Sequence, residues 1–268
     1  MMRRRTRVLA ALVFAALFIA CARADDKDKP KPEVKGASLL ALRAGQTATV
    51  FVYGNNLAPT AVAAKPPLVV KMGEIKDTDA ETAKARGGAK KQVAVEVSAP
   101  ADCPPDVYDL ILVHEGDQKP TARIAVVAPA GAELEVKRPN ATFAQAMPLS
   151  AAAASVAVTG ALSQGDTADL FRFEAHAGET WEISLLAGRA GSPLDAIVRL
   201  RNARRIPLAL AAGDEKKDRR LTFRTPADGV YFIELTDAEN RGGPTFAYRL
   251  TLVRKDDVKA AQATPPAK

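Results

Sequence analysis

A strict alternation of apolar and polar residues in the second half of the chain constrains the fold more than any other feature. Phe171 and Phe173 alternate with Arg172 and Glu174, and the same period returns in later segments. Those segments lie at 181–185, 196–200, 221–223, 231–235 and 246–252. Because successive side chains of a strand point to opposite faces of its sheet, each segment predicts a strand with one buried face. Turns that contain Gly, Pro or Asp separate them, which favours an antiparallel sandwich of the jelly-roll type.

The first half of the chain carries shorter strand patterns. Residues 47–53 are rich in β-forming side chains and run directly into the turn residues of 54–56. Residues 93–97 and 107–113 have the alternation of half-buried strands. Before these two segments, residues 74–91 are charged and rich in Ala and Gly, which predicts a long solvated loop with at most one helical turn. Short strands separated by turn clusters indicate a second β-sandwich.

The amino terminus has the features of a secretory signal peptide. A basic stretch ending at Arg7 precedes an apolar run from Val8 to Ala20, which at about 13 residues is too short to span a bilayer. Ala22-Arg23-Ala24 fits a cleavage site before Asp25, so we expect export to the periplasm or the exterior. The alternative is a lipoprotein, because residues 18–21 resemble a lipobox and would make Cys21 a lipid anchor. No later apolar stretch has the length of a membrane span.

Charge and cysteine usage give few indications of a partner. The chain has 38 basic and 31 acidic residues, and residues 1–24 hold five arginines and no acid, so the exported part has 33 against 31. A chain so close to neutral gives no reason to expect nucleic-acid binding. Cys103 is the only cysteine left after residue 24. It is expected to be a small buried residue near a turn, with an intermolecular disulfide as the alternative.

These patterns predict an all-β protein with two β-sandwich domains. The ends of the exported chain are charged or rich in Pro and Ala and carry no apolar period, as expected of tethers. The predicted organisation is a signal peptide at 1–24, a flexible tether at 25–35, an immunoglobulin-like sandwich at 36–128, a linker at 129–136, a second sandwich at 137–253 and a disordered tail at 254–268.

The first predicted sandwich resembles a known family at its start and near its end. Residues 44–47 and 50–57 look like the opening of IPT/TIG-type immunoglobulin-like domains. Residues 104–110 are similar to a later strand of such domains, although Asp106 stands where glycine is usual. The resemblance implies an immunoglobulin-like fold over roughly 90 residues.

The second predicted sandwich resembles the bacterial pre-peptidase C-terminal domain, in the variant found in secreted proteins of planctomycete-type bacteria. The motifs that carry the likeness occur in the family's order, at 165–171, 177–180, 191–195, 226–231 and 248–250. In that family the domain accompanies exported peptidases and other enzymes, usually without catalytic residues of its own. The domain is credited with adhesion or with substrate binding, or it is itself cut off after export.

Some relatives in that family bind calcium, and this sequence departs from both of their calcium-binding segments. Residues 137–140 read Lys-Arg-Pro-Asn, which is basic where relatives tend to carry glutamate. Residues 212–218 hold acids interrupted by Lys216 and Lys217. Because calcium takes six to eight oxygen ligands, several of them carboxylate, solvated loop acids are the simpler interpretation. We therefore expect no metal and no cofactor.

The sequence offers no catalytic constellation. His114 and His176 are the only histidines, and neither stands in a metal-binding pattern. Ser192 lacks the second glycine of a nucleophile elbow. The acid pairs Asp166 and Asp169, and Asp214 and Asp218, are of a kind common in surface turns. Since none of these residues forms a catalytic pattern, we expect no enzyme activity and assign no catalytic, cofactor or metal residue. No phosphate-binding glycine loop is present, which disfavours nucleotide binding.

The function that remains is a non-catalytic, secreted binding or adhesion module of the cell envelope or the extracellular space. Its partner would be an extracellular polymer or an envelope protein. The alternative is an accessory or targeting subunit of a separately encoded exported peptidase or other hydrolase. Sandwich loops bind through many different sequences, so the ligand cannot be inferred from the fold.

Overall fold

Strands dominate the protein, as seen in a computed structural model that describes residues 30–150, 155–163, 167–212 and 218–255. The α-helix α1, Ala80–Ala85, is a short element between two strands. The prediction of an all-β sandwich protein is confirmed. In the described part of the chain, no helix has the length and apolar character needed to cross a bilayer.

The strands between residues 33 and 127 form two four-stranded sheets. The first has the order β1 (Glu33–Ala37), β3 (Thr47–Asn55), β6 (Lys91–Ser98) and β5 (Val69–Asp77). The second has the order β2 (Ala41–Arg43), β8 (Thr121–Val127), β7 (Asp106–Val113) and β4 (Ala61–Ala64). The inward-facing residues of both sheets are fully buried and form one core: Val50, Val52, Val93, Val95, Leu110, Leu112 and Ile124.

The strands from residue 132 onward form a second sandwich of two five-stranded sheets. One sheet has the order β10 (Met147–Pro148), β12 (Asp169–Ala175), β17 (Gly229–Asp237), β14 (Ala196–Arg201) and β15 (Pro207–Ala211). The other has the order β16 (Arg219–Arg224), β13 (Thr180–Leu186), β18 (Ala247–Arg254), β11 (Ser155–Ala161) and β9 (Ala132–Glu135).

The core of the second sandwich contains the residues that the alternation predicted to face inward. Phe171, Phe173, Trp181 and Tyr231 are all buried in one apolar cluster. The Phe173 ring lies with its centroid 5.2 Å from that of Trp181 and 5.8 Å from that of Tyr231. Aromatic pairs at such distances add stabilisation beyond the area they bury, so these rings hold the two sheets together.

Several segments predicted to be irregular contain strands. Within the predicted linker 129–136, β9 pairs in parallel with β11, because its apolar Leu134 packs on the second core. The predicted tether 25–35 includes the start of β1. The predicted loop 74–91 begins as β5 and contains the helix α1, whose first turn is capped by the Asp79 carboxylate. The predicted signal peptide and Cys21 lie outside the described residues.

The two sandwiches touch through a small apolar contact. The described residues from Lys31 onward belong to one compact unit. Leu40 and Ala125 of the first sandwich are buried together with Ala190 of the second. The Arg86 guanidinium donates a hydrogen bond of 3.2 Å to the carbonyl oxygen of Pro244. This contact sets the spacing between the outer faces of the neighbouring sheets.

Truncation of one core residue should show how much the second sandwich depends on inward packing. Leu250 is 1% exposed, and Leu250→Ala should lower the free energy of unfolding by about 2–5 kcal/mol. The measurement is urea unfolding followed by fluorescence of Trp181, the only tryptophan of the chain. Leu210→Ala is the matched control, because Leu210 is 59% exposed and should change the free energy by about 0.5 kcal/mol or less. Equal losses of unfolding free energy for the two substitutions would contradict the assignment of Leu250 to the core and Leu210 to the surface.

Candidate functional site

A cleft of about 680 Å³ lies between the two sandwiches. One wall is formed by the first sandwich, from Val107 of β7 and residues 125–127 of β8, and by the connecting residues 128–130. The floor is the outward face of β13, β16 and β18 in the second sandwich. The cleft therefore depends on the contact that holds the sandwiches side by side.

The floor of the cleft consists of short hydroxyl side chains between longer charged ones. In the sheet register, Ser184 of β13 lies opposite Arg220 of β16 on one side and Thr251 of β18 on the other. Since Leu185 and Leu250 point into the core, their sequence neighbours must point outward into the cleft. Small residues in the middle of a sheet leave a depression there. The Ser184 hydroxyl donates to the Glu182 carboxylate at 3.3 Å and keeps its acceptor side for a ligand, and the Thr251 hydroxyl adds a second polar group.

Ion pairs surround this floor. The Arg249 guanidinium donates to the Glu133 carboxylate at 2.5 and 2.8 Å, and its side chain is 6% exposed. Glu182 is contacted by the Lys255 ammonium at 3.0 Å and by Arg220 at 3.8 Å. The Arg220 side chain remains 72% exposed. The guanidinium of Arg220 is thus the cation of the cleft most available to a ligand.

A further ion pair stands at the end of the cleft near the sandwich contact. The Asp218 carboxylate accepts a hydrogen bond of 2.6 Å from Arg189 Nε and another of 3.1 Å from the backbone N–H of Ala187. The sequence predicted Asp218 to be a solvated loop acid. The structure gives it a local structural role, because it fixes the turn that follows β13.

The motif at 191–195 is held by buried charges next to the cleft. Arg219 is 5% exposed, and it donates to the Asp195 carboxylate and to the carbonyl oxygen of Ala196, both at 2.7 Å. The backbone N–H of Asp195 in turn donates to Asp237 at 3.0 Å. These contacts explain an aspartate in this motif without any catalytic role.

Asp237 is the most densely hydrogen-bonded acid of this group. Its carboxylate accepts from the Arg241 guanidinium at 3.0 and 3.2 Å and from the backbone N–H groups of Asp195, Glu239 and Arg241. Burial by itself raises the pKa of Asp237, but the hydrogen bonds from Arg241 and the backbone outweigh it and bring the pKa below its usual value. The ionised carboxylate therefore stabilises the fold.

A second buried network lies where the chain enters the second sandwich. The Asp169 carboxylate is fully buried and accepts from both terminal nitrogens of Arg138, at 2.6 and 3.1 Å. The Tyr248 hydroxyl donates to the same carboxylate at 2.5 Å. The hydrogen bond from Arg138 to Asp169 raises the pKa of Arg138. Burial first, and the negative charge of Asp169 second, raise the pKa of Tyr248 well above its usual value.

The residues of this network do not fit a calcium site. A guanidinium already occupies both oxygens of Asp169, at a place where calcium would need several free carboxylate oxygens. Across the described ranges, no cluster of three or more His, Cys, Asp or Glu residues is arranged to hold a metal ion. Asp166 and Asp214, the other acids considered, lie outside the described residues.

The histidines and Ser192 lie in places that explain them structurally. His114 Nε2 accepts a hydrogen bond of 3.1 Å from the backbone N–H of Ala58, and its Nδ1 lies 3.1 Å from the carbonyl oxygen of Leu112. His176 is exposed, 3.8 Å from the Asp228 carboxylate. The hydroxyl of Ser192 lies 3.4 Å from the carbonyl oxygen of Thr245. None of the three is among the described residues that line the cleft.

Cys103 is buried and free, as the sequence predicted. Its thiol lies 3.5 Å from the Tyr108 hydroxyl, which donates to the carbonyl oxygen of Pro104 at 3.0 Å. The hydrogen bond with Cys103, together with burial, raises the pKa of Tyr108 to about 12. The cysteine thus belongs to the packing of the turn before β7, and its burial does not favour a disulfide to a second molecule.

The cleft is suited to holding a ligand through hydrogen bonds. Its described lining combines an apolar wall, hydroxyls and guanidinium groups, and it includes no histidine, cysteine or aromatic ring. Sequence reasoning did not single out Arg220, Ser184 or Thr251. The outward positions of the alternation were the available signal, but only the sheet register shows that these three residues are neighbours.

Comparison with known proteins yields only remote similarities. No family model and no curated protein matches the chain. The pre-peptidase C-terminal domain of a collagenase from Bacillus anthracis is 18% identical, over 44% of this chain and 99% of that one, with a TM-score of 0.33. The g-type lysozyme inhibitor PliG from Aeromonas hydrophila is 14% identical, over 46% and 97%, with a TM-score of 0.32. The glucan-utilisation protein SGBP-B from Bacteroides ovatus, solved with a mixed-linkage heptasaccharide, is 11% identical, over 80% and 71%, with a TM-score of 0.23.

The lowered pKa of Asp237 leads to a pH-dependent prediction. A carboxylate whose folded-state pKa lies below the unfolded value of about 3.9 stabilises the fold above that pH, and the contribution is lost as the pH falls through the folded-state value. Asp237→Asn should therefore lower the free energy of unfolding by about 1–3 kcal/mol at pH 7. The difference from wild type should shrink at acidic pH. Urea unfolding followed at Trp181 measures both effects.

The control for this prediction is Glu239, a second acidic residue that contacts Arg241. Glu239 contacts Arg241 Nη1 at 3.2 Å, but its side chain is 67% exposed. Because exposed ion pairs contribute little, Glu239→Gln should change the free energy of unfolding by about 0.5 kcal/mol or less at any pH. A loss for Asp237→Asn that stays constant down to pH 3 would contradict the assignment to the charged carboxylate.

Proposed function

We propose that this protein is a non-catalytic, exported binding module whose ligand lies in the cleft between the two sandwiches. The observation that carries the proposal is the floor of the cleft, where Ser184 and Thr251 form a hydroxyl-bearing depression beside the exposed guanidinium of Arg220. Hydroxyl and guanidinium groups that converge on a concave surface are the usual means of orienting a polar ligand. Export rests on the predicted signal peptide at 1–24.

The absence of catalysis is proposed from the state of the acids in the cleft. Glu182 is engaged by Lys255, and Asp218 is engaged by Arg189 and a backbone N–H. A general base needs a free lone pair directed at the reacting group, with a nucleophile or water beside it. Two of the three carboxylates in the described lining are thus already used by cations, and the third, that of Asp106, accepts a hydrogen bond of 2.8 Å from the backbone N–H of Val107.

The ligand we propose is an extracellular polymer rich in hydroxyl or carbonyl groups. The cleft is open and runs across the strands of one sheet, which suits an extended chain better than an enclosed small molecule. The arginines and hydroxyls would donate hydrogen bonds to its oxygens. We also propose that 36–128 and 137–253 are two domains, so that the relative placement of both shapes the binding surface.

A matched pair of substitutions tests the cleft. Thr251→Tyr places a large ring over the floor and should abolish co-sedimentation with the polymer that wild type selects from peptidoglycan sacculi, collagen fibrils, chitin and cellulose. Thr222→Tyr is the control, because Thr222 is exposed on the edge strand of the same sheet, opposite Glu182, and does not line the cleft. It should leave co-sedimentation unchanged.

Three results would overturn the proposal. The first is equal binding by the two variants. The second is that wild type hydrolyses a polymer of the panel and that Thr251→Tyr abolishes this hydrolysis. The third is binding to none of the four polymers together with stoichiometric co-purification of one exported hydrolase, because that result supports an accessory subunit.

A further inference from the structure

The second sandwich carries a strongly basic surface on the sheet opposite the cleft. Arg172, Arg199 and Arg201 point outward from β12 and β14, because their sequence neighbours fill the core. The hairpin between β14 and β15 adds Arg204 and Arg205, both exposed. We call these five arginines the arginine face. The outward acids on the same sheet are Glu174 of β12 and Glu234 of β17, so positive charge is in excess.

The register places an aromatic ring between two of these arginines. Phe232 of β17 lies opposite Arg172 of β12 on one side and Arg201 of β14 on the other. Neighbouring strands are about 4.8 Å apart, so the two arginines are separated by roughly 10 Å across the ring. The Phe143 ring packs edge-on against Phe232 with centroids 5.2 Å apart.

The arginine face is only partly neutralised by the protein itself. Arg201 donates to the Glu234 carboxylate at 2.6 Å, and Arg199 donates to the Thr236 hydroxyl at 3.3 Å. Arg205 lies over the Phe143 ring at 4.9 Å from its centroid. Within the described part of the chain, Arg172 and Arg204 have no carboxylate within ion-pair distance. Their charges are available to a partner.

We propose that the arginine face is a second binding site and that its ligand is an acidic polysaccharide. An open sheet face with several separated guanidinium groups fits a long polyanion, whose carboxylates or sulfates each form a paired hydrogen bond with one arginine. The ring of Phe232 between the cations offers an apolar platform for the non-polar face of a sugar ring. This site is separate from the cleft and does not depend on it.

The chemistry of the face selects this occupant over a membrane. Ile206 and Leu210, which are 51% and 59% exposed, are the large apolar side chains near the arginines. Two half-exposed side chains give little insertion energy, because stable membrane attachment takes more buried area than one acyl chain supplies. Five arginines and an aromatic ring give a larger polar and stacking surface, which a carbohydrate polyanion can use along its length.

The test uses polygalacturonate as the acidic polymer and dextran as the neutral one. Wild type should bind immobilised polygalacturonate, release it as the salt concentration rises, and not bind dextran. The double variant Arg172→Glu/Arg204→Glu should bind polygalacturonate at least about tenfold more weakly than wild type, because two attractive charges become repulsive. Both residues are exposed, so thermal unfolding should be close to that of wild type.

Two control variants separate this site from the rest of the surface. Lys71→Glu makes one such charge reversal at an exposed position of β5 in the first sandwich and should leave binding to polygalacturonate within twofold of wild type. Thr251→Tyr, which closes the cleft, should also leave it within twofold. Failure of the cleft proposal is therefore distinguishable from failure of this one.

Each of the following outcomes would overturn the proposal. The first is that wild type does not bind polygalacturonate or that it binds dextran equally well. The second is that the double variant remains folded and binds polygalacturonate with an affinity within twofold of wild type. The third is that wild type binds vesicles of phosphatidylglycerol or a DNA oligonucleotide more tightly than polygalacturonate.

The supporting outcome is loss of binding to polygalacturonate by the double variant alone, with binding by both control variants unchanged.

Discussion

The packing of two sheet faces around Trp181 and Phe173 is the constraint on which the rest of the second sandwich depends. Once the inner residues of each strand are committed to this core, the residue on either side of each must point outward. The hydroxyls of the cleft floor and the arginines of the opposite face are both placed in this way. A slip of one residue in the pairing of β13 with β18 would bury Glu182 and expose Ile183. Core packing thus determines the chemistry of both surfaces.

Buried charges fix the ends of the strands, where the apolar core cannot. Asp169 is held by Arg138 and Tyr248, and Asp237 by Arg241 and backbone N–H groups. A buried carboxylate is costly unless each oxygen has a partner, so these networks tolerate few alternative arrangements of the chain. Asp195, in the motif at 191–195 that resembles pre-peptidase C-terminal domains, is explained by its ion pair with the buried Arg219. The resemblance at this motif therefore concerns how the strands are joined and gives no indication of a reaction.

The sequence was sufficient to predict the strands with a strict period of two, because burial of one face imposes that period directly. The inward positions of β12, β13, β17 and β18 and the burial of Cys103 were predicted correctly. The strand β9 was not predicted, since its four residues, three of them half-buried, give too short a pattern and the strand is stabilised by pairing with β11. The candidate sites could not be predicted, because Arg172, Phe232 and Arg201 are far apart in sequence and become neighbours only through the register.

The two proposed sites lie on opposite outer faces of one sandwich, and this arrangement has a consequence for binding. Packed sheets are about 10 Å apart, so ligands on the two faces are separated by a full layer of core and do not compete for space. A module that holds one polymer in the cleft and an acidic polysaccharide on the arginine face can connect the two. Because the second contact then forms within one assembly, two weak sites together give stronger attachment than either alone. If both proposals hold, this geometry suits attachment to two polymers at once, and it needs no catalytic group.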